Sequence, residues 1–425
     1  MGKLGNVLFW LAVIVVHYFT VCSFIFLADG SGFFIEILQT HDYIIHEPQR
    51  QTAHYITQFP LVWALNLGVT NFVLLVLLFT LGHCFHVWVS LALVYWIAGK
   101  KNITKIAAIP MVLLLVCAGF LIGQAFVAAS YTIVLALGLL HWQSISIPKK
   151  VVITLVALLS FNIYEGAFLN FAALLAIAVY SFTIGKPNKD WLSKFLQIGL
   201  VIVIASYGSF MGFRAVLAPL NASGQQTIAE SDLDYAAFLT LGIAAYWFVI
   251  RVFAINWVIA AILILGSCSL MWFIPETVFN AYNNRLLILL IPTSLVLVEW
   301  TVGVLKPYIR WNTVNYEKPL VLMLLALLIV RTVFTLNHQY KVAEFCHNHR
   351  GVLQHGEVYQ LYYPNYELWW TNIYSSIIYQ GFVYGTVNSI AGNPTKCDFC
   401  YNVEDYKTYP DLREYGIEYH KSLVP

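Results

Sequence analysis

Apolar runs of membrane-spanning length, separated by short polar joints, fill most of the chain from Val7 to about residue 336. A helix needs roughly 20 apolar residues to cross a bilayer. The pattern predicts spans near 7–28, 70–98, 106–127, 130–147, 150–162, 168–184, 194–216, 234–250, 254–273, 286–304 and 319–336. Two stretches break the rhythm. Asp29 to His54 is polar and gathers Asp29, Glu36, Asp42, Glu47, Arg50, His41, His46 and His54 in a chain otherwise poor in charge. The apolar run from Ile56 to Ala98, in contrast, is too long for one helix. We divide it into an amphipathic helix over Tyr55–Asn66, lying in the outer membrane interface, and one long span. Pro60 and the turn residues Gly68–Asn71 mark the break between them.

Composition supports the membrane assignment. Hydrophobic residues make up 60% of the chain and charged residues 10%, against about 25% charged in soluble domains, and the mean hydropathy is +0.73. Lys3, Lys100, Lys101, Lys105, Lys149, Lys150, Lys186, Lys189, Lys194, Arg251, Lys306, Arg310 and Lys318 all fall on one side of the predicted spans, which marks that side as cytoplasmic. The expectation is an all-α polytopic membrane protein with about eleven transmembrane helices. Interfacial helices occupy the first outer loop (about 29–69) of a transmembrane domain over 1–336, and residues 337–425 form a small C-terminal extracytoplasmic domain. The N-terminus is cytoplasmic, and a bacterial inner membrane is the expected location. No small-residue cleavage pattern precedes Asp29, so the first run is expected to remain a span. The net charge of +2 is thinly spread, which argues against a nucleic-acid partner.

This topology puts most of the chemistry on the outer face. Alongside the first-loop acids stand Glu165 in SFNIYEGAF, Arg214 at the end of a span, Glu276 and Arg285 around PETVFNAYNNR, and Arg331 about one turn inside the last span. Carboxylates and arginines at membrane depth are costly and commonly functional, although an arginine near a helix end also serves as a headgroup anchor. A carboxylate at the membrane boundary suits general-base attack by a hydroxyl acceptor. An arginine suits a lipid-linked phosphate, which it binds through two parallel hydrogen bonds. Asp29, Asp42 and Glu47 are the candidate bases. Glu36, Arg50, His54, Glu165, Arg214, Glu276, Arg285 and Arg331 are the candidate substrate ligands.

A first span, the acid of Asp29-Gly30 at its outer end, a long first outer loop running to Asn71, many further spans and an outer C-terminal region resemble the GT-C superfamily of membrane glycosyltransferases. The resemblance implies inverting transfer of a sugar from a polyprenyl-phosphate-linked donor to a glycan, lipid or protein acceptor, with Asp29 as base and Asp42 as second choice. It leaves a divalent metal open and requires no other cofactor. The tail has Trp369-Trp370-Thr371 where oligosaccharyl transferases carry a WWD-type motif, which argues against protein N-glycosylation. A transporter or flippase, or a polysaccharide assembly subunit, is the alternative.

Cysteines fall into two groups. Cys22, Cys84, Cys117 and Cys268 sit in apolar runs and are expected to be inert packing residues. Cys346, Cys397 and Cys400 lie in the polar tail, where an extracytoplasmic location favours a disulfide over a zinc site with His347 and His349.

Overall fold

The computed structural model describes residues 3–26, 29–46, 50–98, 124–164, 167–184, 191–217, 373–387 and 411–419, with scattered positions between 240 and 340. These residues are mostly helical. In chain order the helices are α1 (Lys3–Phe24), α2 (Asp29–Thr40), α3 (Gln51–Asn66), α4 (Phe72–Ala98), α5 (Gln124–Leu140), α6 (Ile147–Leu159), α7 (Phe168–Ile184), α8 (Trp191–Leu217) and α9 (Ile373–Tyr384). Two of them, over Phe72–Ile97 and Trp191–Phe210, are long and apolar enough to cross a membrane. Shorter apolar helical segments run over Trp10–Ser23, Gln124–Leu140 and Asn170–Phe182. The expected spans near 234–250, 254–273, 286–304 and 319–336, and all but the end of 106–127, lie outside the described residues apart from isolated positions.

Helix boundaries follow the sequence pattern closely in places and drift in others. Helix α7 covers the expected 168–184, whereas α5 runs unbroken through the expected joint at 128–129 and ends at Leu140, seven residues short of the expected 147. Helix α6 starts earlier than 150 because Pro148 sits in its first turn after Ser146, where a fixed φ and a missing N–H cost nothing. Pro60 does not end α3. The helix runs through it to Asn66 and stops at Gly68 instead.

The chain divides into two compact units. Residues 1–46, 54–85 and 330–425 form the first, and residues 47–53 and 86–329 the second. In the second unit, α5 is buried from Ala125 through Leu139, as expected of a helix that is apolar on all sides. Helix α5 packs against α6 and α7, and α8 packs against the same two. Close approach is built in at Gly138, where a Cβ would lie 2.6 Å from Ile153 Cδ1. Side-chain hydrogen bonds add interhelical ties. Ser90 donates to Ser130 at 3.3 Å, Asn170 Nδ2 to Thr132 at 3.4 Å, and Thr293 to Asn170 Oδ1 at 2.9 Å. Lys150, buried to 3% exposure, donates to Ser193 Oγ at 2.6 Å and joins α6 to α8. Such hydrogen bonds are worth about 0.5–1.5 kcal/mol each. Asn170→Leu removes two of them at once, so it is expected to lower the thermal unfolding temperature of detergent-solubilised protein, whereas a leucine at the exposed Val179 position leaves it unchanged.

In the first unit, α3 and the start of α4 form a helical hairpin. Val69 N–H donates to Ala64 O and Gly68 N–H to Leu65 O, with Gly68 at φ 80°. This pairing is a Schellman stop, which requires a left-handed residue where glycine carries no Cβ penalty. Asn71 then caps α4 by accepting from Leu74 N–H at 2.9 Å. Some ten residues from each side of the turn the helices are still in contact, since a Cβ on Gly82 would lie 1.9 Å from Thr57 O and 3.1 Å from Pro60 Cδ. The two helices therefore run side by side in opposite directions. Helix α2 lies on this hairpin through Phe34, which packs on Phe72, Phe79 and Phe26 at centroid distances of 5.8, 5.4 and 5.3 Å. Tyr18 donates to Leu77 O at 2.8 Å and ties α1 to α4.

The described tail residues belong to this same unit. Ser375 Oγ donates to Phe26 O, and Gly381 on α9 sits under Ile417 and Phe72. The all-α expectation meets one small exception, a parallel pair of two-residue strands, β1 (Thr386–Val387) and β2 (Glu418–Tyr419).

Candidate functional site

The polar first loop is a folded platform. Asp29 opens α2, and Gly30 explains how. A Cβ there would fall 1.7 Å from Ile25 O, so α2 turns directly off the end of α1. Glu36 follows Asp29 by seven residues, and that spacing returns to the same helix face after two turns. The Glu36 carboxylate lies 3.1 Å from His46 Nε2, a carboxylate–imidazole pair with 22% and 55% side-chain exposure. Phe33, one turn before Glu36, packs against His46 at 5.1 Å and His54 at 4.9 Å. The pair is thus held on an aromatic floor.

Gln58 fixes both the loop and a tautomer. Its Oε1 accepts from Ile44 N–H at 2.9 Å and its Nε2 donates to Ile44 O at 2.9 Å, so the orientation of the amide is set by the backbone. The same Nε2 faces His54 Nδ1 at 3.3 Å. That nitrogen must therefore accept, and His54 carries its hydrogen on Nε2. His54 is buried at 3% exposure. Asp42 stands apart: it is exposed at the end of α2, and its Oδ1 accepts from Tyr43 N–H at 2.7 Å. Burial, with Tyr55 and Asp42 nearby, pushes the Tyr43 phenol up, so it remains a protonated donor at neutral pH.

The tail locks the far end of the platform. Helix α2 stops at His41, which adopts φ 56° and donates its N–H to Ile37 O at 2.8 Å. Tyr415 donates its single hydroxyl hydrogen to Leu38 O at 2.6 Å. At the 3.0 Å contact between Tyr415 Oη and His41 Nε2, the histidine is therefore the donor. Tyr415→Phe keeps the ring and deletes both bonds. At about 0.5–1.5 kcal/mol per hydrogen bond, we expect it to destabilise the protein by about 1–3 kcal/mol, read as a lower unfolding temperature. It should also speed amide exchange at the C-terminal end of α2.

In the second unit, Arg50 is buried at 5% exposure, with its guanidinium 5.1 Å above the Tyr164 ring. Thr52 N–H donates to Asn162 O at 3.0 Å, and Asn162 turns the chain at φ 54°. A first-loop arginine is therefore seated on the turn at Asn162–Tyr164. Glu165 itself, Glu47, Glu276, Arg285, Arg331, Cys346, Cys397 and Cys400 lie outside the described residues, as do the side chains of Asp29 and Arg214. Neither Cys22 nor the buried Cys84 forms a disulfide.

Of the residues singled out from sequence, the structure pairs Glu36 with His46, sets His54 against Phe33, seats Arg50 against Tyr164, and leaves Asp42 on the surface. His46 is the residue that sequence reasoning passed over. It was visible as one polar residue in a polar stretch, but no spacing rule links it to Glu36 ten residues earlier. Among the described residues, no three His, Cys, Asp or Glu side chains converge where they could hold a metal ion. No protein-family model matches the chain, and no characterised protein or solved structure is significantly similar to it.

Proposed function

We propose that this protein is a membrane glycosyltransferase of the GT-C kind, moving a sugar from a polyprenyl-phosphate-linked donor to an acceptor hydroxyl on the outer face. The observation that carries the proposal is the folded first loop. It forms a platform with a carboxylate–imidazole pair, Glu36–His46, two turns along the same helix from Asp29. In this reading a first-loop acid takes the acceptor proton, with Asp29 and Glu36 the two candidates. His46 supplies a second proton-accepting nitrogen when Glu36 holds its Nε2 hydrogen. Arg50, already desolvated against Tyr164, is suited to a phosphate because a guanidinium stays charged when buried and offers paired donors. Arg214, Arg285 and Arg331 are further phosphate ligands in this scheme, and Glu165 and Glu276 further acceptor-side acids. About eleven spans, with the platform at the outer membrane boundary and the tail on the same side, belong to the same proposal.

A transporter would draw on the polar residues buried among the helices of the second unit. Ser90, Ser130, Thr132, Asn170 and Thr293 among them are engaged with one another across helices, the arrangement of interhelical adhesive rather than of a path. The test of the enzyme reading is transfer from a panel of radiolabelled polyprenyl-phosphate sugars in membranes holding wild-type or Arg50→Ala protein. Transfer by the wild type that drops sharply in the variant supports it, and no transfer from any donor by the wild type counts against it.

A further inference from the structure

Helix α3 presents an apolar face that is exposed among the described residues. Tyr55, Phe59, Trp63 and Leu67 recur every four residues and are 42%, 52%, 59% and 64% exposed. Phe59 and Trp63 stack at 6.1 Å with 11° between their planes, and Tyr43 meets Tyr55 edge-on at 4.9 Å. The opposite face, with Ala53, Thr57, Leu61, Ala64 and Leu65, is buried. No Asp, Glu, Lys or Arg occurs anywhere in the helix. A water-facing helix surface is ordinarily charged, and contiguous exposed aromatic patches mark interaction sites.

The hairpin geometry says what covers this face. Helix α4 is long and apolar enough to cross a membrane from its first residue, Phe72. Helix α3 runs back along it from the Gly68 turn to at least the Thr57–Gly82 contact. At 1.5 Å per residue that is about 15 Å of shared depth. The stripe therefore lies at the level of the outer half of the α4 span rather than above it. We propose that α3 is a re-entrant helix immersed in the bilayer, with Tyr55–Phe59–Trp63–Leu67 as a docking surface for lipid acyl chains. This replaces the helix lying flat in the interface that the sequence suggested. It also gives the platform a lipid-facing wall, since the same helix that carries the stripe carries His54 and Gln58 on its inner face. The inference rests on α4 spanning the membrane, and the experiment separates the two.

In nanodiscs, the fluorescence of Trp63 is isolated by subtracting the spectrum of Trp63→Phe from that of the wild type. Phe59→Trp, measured against wild type, is a second reporter should Trp63→Phe fold poorly. Phe85→Trp, at a 55% exposed position on α4, reports on the span. Lipids brominated on the acyl chains are expected to quench most of the Trp63 signal, while aqueous iodide leaves it unchanged. Quenching by iodide means the face is in water and overturns the proposal. Quenching by neither agent means a protein surface, a second copy or another partner, covers the stripe, and overturns it as well. If Phe85→Trp is quenched by brominated lipid and Trp63 is not, only the re-entrant helix fails. If neither is, the span fails too.

Discussion

Glu36→Gln is expected to lower the rate of sugar transfer by about 10²–10⁴-fold, the usual contribution of a positioned general base, while leaving the protein folded and membrane-inserted. The substitution keeps the size of the side chain and its ability to bond His46 Nε2, which sits 3.1 Å away, so the platform is not expected to rearrange. What it removes is the negative charge. That charge has two uses in the proposed reaction: to accept the acceptor proton directly, or to hold the His46 hydrogen so that the other ring nitrogen is free to accept. His46→Ala separates them. If the carboxylate acts directly, His46→Ala retains most of the activity. If it acts through the imidazole, the two variants lose comparable activity, because residues that act as a unit are not additive. Asp29→Asn is the parallel experiment. A large loss there with near-normal transfer in Glu36→Gln makes Asp29 the base and leaves Glu36 as a structural partner of His46. The measurement is transfer to acceptor in membranes with matched protein levels, and normal activity in both Asp29→Asn and Glu36→Gln would remove the first loop from the chemistry.

Gly82→Ala is expected to cost about 1–3 kcal/mol, the range for forcing a methyl group into a packed interior. The new Cβ would fall 1.9 Å from Thr57 O, a backbone atom that cannot swing aside as a side chain would. Relief requires the α3–α4 hairpin to open, and the Schellman stop and the Asn71 cap that hold the turn oppose that. The effect reads as a lower unfolding temperature in detergent. Gly199→Ala is the control, because a Cβ at that position on α8 meets nothing within 4 Å. Alanine also improves intrinsic helix propensity there, by about 1 kcal/mol in exposed helix interiors. Equal behaviour of the two variants would mean that α3 and α4 do not touch at Gly82.

Local pattern along the chain was enough to read a mostly helical protein with helices apolar enough to cross a membrane, and several of those helices almost residue by residue. Helix α7 at 168–184 and the break at Gly68–Asn71 were legible because apolar run length and turn chemistry are local properties. It also marked residues 29–54 as unusual, since ionisable groups are expensive in a chain of this composition. Pro60, read as part of the break, stays inside α3 with its ring set against Gly82 of α4. Which polar residues meet emerges from the folded chain alone. Glu36 finds His46, Arg50 finds Tyr164, and Tyr415 reaches back 377 residues to Leu38. The fold also doubles α3 back along α4. Such partnerships depend on how helices turn and cross, and no periodicity along the chain encodes them. The polar island was written in the sequence. Its pairing was decided by Gly30, Gly68 and Gly82, three positions where the absence of a side chain lets backbones turn or touch.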